Sequence, residues 1–240
     1  MTRISPSKLA FASLLTIALA SSAHASLFGD DVQTPTLEIA PVDITIDVPM
    51  PVTGANLSVL LAQSGGAHDL KAIKDAALQK YRQHLEETLN ARLNAYFTDE
   101  EVPLVKREGI LTLHNRLNVK VVKHFSNLES EAGYEVEQGT VELSGSFEYQ
   151  LGDTAGNVVQ QQDLNLTKMR ISKNYQVKTP RNGGQAEDTT ELAIKQALTE
   201  MTDKIVRKID GGLEAGDLRD IIADSDSEEG PVATMHHPSR

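Results

Sequence analysis

Residues 68–97 constrain this chain more than any other stretch. Leu70, Ile73, Ala77, Tyr81, Leu85, Leu89, Leu93 and Tyr96 recur every three or four positions, which lays one apolar stripe down about eight turns of helix. Lys71, Lys74, Arg82, Glu86 and Glu87 take the opposite side, Asp69 suits the positive end of the helix, and Thr98-Asp99-Glu100-Glu101 with Pro103 stop it. A helix this long and this one-sided must lie on a surface, and the sequence around it supplies strands.

Before the helix, Ile44, Ile46 and Val48 alternate with Asp43, Thr45 and Asp47, while Leu37 and Ile39 alternate in the opposite phase. The switch at Pro41-Val42 predicts a bulge or a strand break. Pro49, Pro51 and Gly54 end the run, and Gly65-Gly66 punctuate before the helix. After the helix, residues 109–178 read as an antiparallel meander. Leu117, Val119 and Val121 share a face, as do Val141, Leu143, Gly145, Phe147 and Tyr149, and 152–157 is a loop of small and polar residues. The run Val158–Val177 reads as one long strand with a change of phase, and Gly109–Leu113 is ambiguous between strand and helical turn.

Asp188 followed by Glu191 resembles a capping box. It opens a second helix with Ile194, Leu198, Met201 and Ile205 as its buried stripe, which Gly211-Gly212 would close with a left-handed cap. Leu218, Ile221 and Ile222 allow a short amphipathic turn, and 224–240 is acidic and poor in apolar residues, the composition of a disordered tail. Helices gathered on one face of an antiparallel sheet give an α+β two-layer sandwich, here four or five strands covered by the long helix and the C-terminal helix. The expected divisions are 1–25, 26–66 (N-terminal strand and linker), 67–212 (the α+β domain) and 213–240 (the tail).

Residues 1–25 have the three parts of a secretory signal. Arg3 and Lys8 open it, Leu9–Ala20 form a short apolar core, and Ala23-His24-Ala25 is a small-x-small cleavage site that leaves Ser26 first. That core would span about 18 Å as a helix, against about 30 Å of hydrocarbon, and no later stretch is long and apolar enough to cross a membrane. The signal resembles a bacterial one and points to the periplasm or the outside of the cell. Its removal takes two of the 23 basic residues and none of the 34 acidic ones. The exported chain is thus more acidic than the formal −11 of the whole, which argues against nucleic acid as a partner.

Cysteine is absent, which excludes disulfides, thiol nucleophiles, thiolate metal sites and a lipidated cysteine. With no Trp and 4% aromatic residues, a function built on stacking is disfavoured. No G-x-S-x-G elbow or H-E-x-x-H spacing occurs, and Ser64-Gly65-Gly66 beside His68 reads as loop chemistry. Asp224, Asp226 and Glu228 begin like a calcium loop, but Glu229 stands where glycine is needed and Met235 where the closing carboxylate belongs. No cofactor and no metal are therefore expected, and His236-His237 offer at most adventitious binding.

The informative asymmetry is basic. Lys168, Arg170, Lys173, Lys178 and Arg181 crowd residues 160–182 against one acid, Asp163. Read as a strand, this stretch puts Lys168 and Arg170 on one face. An earlier strand carries Lys120 and His124 together, with Arg116 and Lys123 close by. Lys168, Arg170, Lys173, Lys120 and Arg116 are the candidate anion-binding residues, facing lipid A phosphates, phospholipid heads, acidic glycan or an acidic partner. Cross-strand pairing with Glu142 and Glu148, or a seat for the protein's own tail, is the simpler explanation, since surface pairs are common.

The element order resembles that of small envelope-assembly accessory domains such as the lipoproteins that assist lipopolysaccharide assembly. The likeness lies in that order alone, and the lipid-modified cysteine is missing here. The lack of a catalytic constellation, the low aromatic content and the acidic tail point instead to a non-catalytic interaction or adaptor module in the cell envelope, partnered by an envelope protein or an anionic envelope component. A lipid, glycan or small-ligand carrier using the helix–sheet interface is the alternative. A hydrolase would need a convergent His–carboxylate pair, for which His114 and His124 on neighbouring strands are the candidates.

Overall fold

The computed structural model describes residues 33–51 and 67–228. The expected export segment with Ala23, Ala25 and Ser26, the glycines at 54, 65 and 66, and residues 229–240 lie outside them. The described chain forms eight strands and three helices. In order these are β1 (Leu37–Ile39), β2 (Asp43–Asp47), α1 (Ala67–Asp99), β3 (Leu104–Val105), β4 (Leu111–Glu131), β5 (Tyr134–Gly152), β6 (Val158–Asn165), β7 (Ser172–Pro180), β8 (Glu187–Asp188), α2 (Thr190–Ile209) and α3 (Ala215–Glu228).

The long antiparallel pair β4–β5 is the spine of the sheet, in register from Thr112↔Gly152 to Glu131↔Tyr134. Each outer edge of the pair is shared by two shorter strands placed end to end. β1 and β2 follow one another along β4, and β6 and β7 along β5. β1 and β2 run parallel to β4, so the sheet is mixed and larger than the antiparallel one expected. The cause is α1. Parallel neighbours need a long crossover, and a 33-residue helix, about 50 Å long, carries the chain back to the start of the sheet before β4 begins. The predicted phase change at Pro41-Val42 is the break between β1 and β2.

One face of the sheet is covered. On β4, Leu111, Leu113, Leu117, Val119 and Val121 turn inward, and on β5 Val141, Leu143, Phe147, Tyr149 and Leu151 do so. α1 answers with Tyr81, Leu85, Leu89, Leu93 and Phe97, and α2 with Ile194, Leu198, Met201, Ile205 and Ile209. The stripe of α1 thus ends on Phe97, not on the half-buried Tyr96. Steps of four advance about 40° each around a helix, so the stripe winds as it descends. The fold is an α+β two-layer arrangement, with no described helix on its second face.

Several local expectations are corrected. The run after 158 is two strands, because the chain leaves the sheet through a 3-10 turn at Leu166–Met169 and rejoins at β7. The apparent change of phase marks that exit. Asp188 Oδ1 accepts from the Thr190 N–H at 2.7 Å, but Glu191 does not close a capping box and pairs with Lys80 and Lys195. Gly211 has φ −77°, so α2 runs into a 3-10 turn with no left-handed cap. The turn is pinned to the sheet by Gln160, whose Nε2 donates to Gly212 O at 2.9 Å and to Tyr149 Oη at 3.1 Å. Leu213 and Leu218 are then fully buried and α3 runs to Glu228, so ordered chain continues where a tail was expected to begin. Gly145, read as an ordinary strand position, has φ +132°, and a Cβ there would stand 2.0 Å from the Asn118 carbonyl oxygen. Only glycine allows this approach at the centre of β4–β5.

Candidate functional site

The 3-10 turn between β6 and β7 makes the site. Its entry is capped by Asn165, whose Oδ1 accepts the Thr167 N–H at 3.0 Å. Its exit is Arg170 in the left-handed region, φ 51° and ψ 54°. Leu166 and Ile171 plug into the core on either side, so Lys168, Met169 and Arg170 bulge from the sheet edge. α2 packs beside the bulge, and Lys204 Nζ donates to Met169 O at 3.0 Å.

Between turn and helix lies an open cleft of about 720 Å³, lined by Asp163, Leu164, Asn165, Lys168, Met169, Lys204, Arg207 and Lys208. Lys204 is already partnered by Glu200 at 2.8 Å, and Glu200 also takes Lys173 at 2.5 Å. Hydrogen bonds from these two lysines hold the Glu200 carboxyl below its ordinary pKa. Lys168, Arg207 and Lys208 are exposed and form no ion pair with a described residue. Arg207 and Lys208 occupy the last turn of α2, where positive charge suits the helix dipole with or without a ligand. Lys168 has no such reason to be there. Three cations without an ion-pair partner among the described residues, facing one carboxylate over the half-buried Leu164 and Met169, are chemically suited to an anion with some apolar body.

The five sequence candidates do not form one surface. Lys168 lines the cleft, Arg170 flanks it, and Lys173 is consumed by Glu200. Neither Lys168 nor Arg170 is on a strand, so the shared strand face expected of them does not exist. Arg116 and Lys120 lie on the open face of β4, away from the helices. Arg116 sits between Asp43 at 3.6 Å and Glu148 at 3.5 Å, as the cross-strand pairing alternative anticipates, and His124 faces Glu142 at 3.3 Å. Lys123 turns to the helix side, bonding Glu137 at 2.9 Å and lying 4.2 Å from the centre of the Tyr175 ring. Lys204, Arg207 and Lys208 were missed. Their spacing of three and four puts them on one helix face, but only the packing of α2 on the turn brings that face to Lys168.

His114 and His124 are on the same strand, not on neighbouring ones, and ten residues of strand separate them by about 34 Å. The pair His124–Glu142 is half exposed at both members. Among the described residues no group of three or more His, Asp or Glu could hold a metal ion, and no helix is long and apolar enough to cross a membrane. The helix–sheet interface, the expected seat of a carried ligand, is filled by the fully buried Leu85, Leu89 and Leu93. A smaller cleft of about 380 Å³ opens beside it, lined by Met50, Ile73, Ala77, Tyr81 and Ile194 among others.

No family model and no curated protein matches this sequence. Among solved structures, the chain is similar to a Helicobacter pylori protein described as a homologue of the neuraminyllactose-binding hemagglutinin. Their identity is 11% and the TM-score 0.51, over 80% of this chain and 91% of that one. At that identity the likeness is one of fold alone. Looser matches are a minor lipoprotein from Acinetobacter baumannii (16% identity, 52% of this chain and 84% of that one, TM-score 0.26) and a chain described as a lipoprotein from Caulobacter crescentus (15%, 60% and 83%, TM-score 0.25).

Proposed function

We propose that this chain is an exported, non-catalytic binding module of the bacterial cell envelope that holds an anionic envelope component in the cleft between the 3-10 turn and α2. The observation that carries the reading is the convergence of Lys168, Arg207 and Lys208, none of them paired with a described carboxylate, on one open cleft in an acidic protein. Export is supported by the signal pattern of residues 1–25. Acidic glycans and phosphorylated lipid head groups share the required chemistry: negative oxygens on a body with some apolar surface. The Helicobacter pylori protein of similar fold is named for neuraminyllactose, a sugar whose neuraminic acid carries a carboxylate.

The test is retention of the protein by sialyllactose against lactose, and by vesicles carrying lipid A against vesicles of a zwitterionic lipid. Retention by a charged member of either pair, weakened at high salt where screening shortens to a few ångströms, is the expected result. Retention by neither, or equal retention by the neutral counterparts, would overturn the reading.

A further inference from the structure

The β4–β5 hairpin runs on past the helices with one edge that no described strand pairs. β7 accompanies β5 to the tip, Pro180 against Tyr134, whereas β2 leaves β4 at the Asp47↔Lys120 pair. From Val121 to Glu131 the second edge of β4 pairs with no described strand, and from His124 onward every residue is exposed. Such an edge presents a row of unpaired N–H and C=O groups ready to accept another strand.

The side chains along this edge are ordered by a bulge between Phe125 and Asn127. Phe125 stands opposite Gly139 and Leu128 opposite Glu137, two residues apart on β5, so both lie on one face. They are 62% and 57% exposed. His124 and Glu129 stand opposite Thr140 and Val136 and share the other face. Without the extra residue, Phe125 and Leu128 would point in opposite directions.

We propose that two copies of this chain pair along the edge, antiparallel, about a two-fold axis between Ser126 and Asn127. Phe125 of each copy then stands opposite Leu128 of the other, forming a four-residue apolar cluster on one face. His124 stands opposite Glu129 twice on the other face. A register offset by one residue puts the two faces out of phase, and an offset of two separates Phe125 from Leu128. The charges select the same arrangement. The unpaired edge carries His124 near its start and Glu129 and Glu131 at its end, so antiparallel pairing sets His124 against Glu129 while parallel pairing would stack like charges. An isologous pair closes on itself and leaves no edge to propagate.

The chain has no cysteine, so a single introduced thiol reports the pairing. Ser126→Cys, beside the axis, should form a disulfide-linked dimer under mild oxidation, and Lys106→Cys, also exposed but remote from the edge, should not. Sedimentation equilibrium should show a concentration-dependent dimer whose association constant falls about tenfold or more in Phe125→Asp, with the circular dichroism unchanged. A protein that stays monomeric at every concentration, or dimers that Phe125→Asp leaves intact, would overturn the proposal. So would cross-linking of Ser126→Cys no faster than Lys106→Cys, or occupation of the edge by a foreign strand in place of a second copy. None of these readings depends on the cleft.

Discussion

Replacing Glu137 by glutamine should destabilise the protein at neutral pH, and by less in acid. Glu137 Oε1 receives Lys123 Nζ at 2.9 Å and Tyr175 Oη at 2.9 Å, and the Lys123 and Glu137 side chains are only 11% and 26% exposed. Burial alone would raise the Glu137 carboxyl, but the hydrogen bonds from Lys123 and Tyr175 outweigh it and hold its pKa below the ordinary carboxylate value. Burial, then the bond to Glu137, pushes Tyr175 above its own usual range. Glutamine keeps an acceptor for Tyr175 but leaves Lys123 nearly buried without its counter-charge. Hydrogen bonds to charged groups contribute about 1.5–3 kcal/mol, so a loss of about 2 kcal/mol is expected.

The sign with pH follows from the lowered pKa. The carboxylate's contribution is complete above the unfolded value of about 4.3 and is lost as pH falls through the folded one. Urea denaturation of both proteins at pH 7 and about pH 3 reads this directly. The gap between them should be complete at the first and narrower at the second. A gap of the same size at both pH values, or none at pH 7, would refute the charge argument and reduce the trio to packing.

Other expectations follow from single positions. Gly145→Ala should cost about 3 kcal/mol or more, read by thermal denaturation, since its Cβ would stand 2.0 Å from a backbone oxygen. Leu89→Ala, fully buried in α1, should cost about 2–5 kcal/mol in the same assay. Arg170→Gly should leave stability unchanged or raise it by up to about 1 kcal/mol, because it relieves the left-handed strain at φ 51°; a marked loss would mean that the guanidinium holds the turn.

The layers of this fold were readable in the sequence because periodicity reports burial on a single element. The i,i+4 row of α1, the alternation along β4 and β5 and the stripe of α2 each show which side is inward. The direction of β1 and β2 was not readable, since a period of two is the same in parallel and antiparallel strands. Nor was the turn at 166–169. Leu166 and Ile171 kept the apolar rhythm going, so a departure from the sheet read as a strand out of phase. The site fell between these limits. Lys168 stood out as excess charge, whereas Lys204, Arg207 and Lys208 looked like a solvated helix end until α2 was seen against the turn. The open-face cations Arg116 and Lys120 were grouped with Lys168 because charge along a chain carries no information about strand order.

The account rests on the cleft, and amide chemical-shift mapping tests it most directly. Titration with sialyllactose or with micelles of a phosphorylated lipid should move resonances of residues 163–171 and 204–212, with lactose moving none. Lys168→Ala with Arg207→Ala and Lys208→Ala should abolish those shifts while the rest of the spectrum stays in place. Shifts scattered over every exposed lysine and arginine, or a response to both anions that survives the triple substitution, would contradict it.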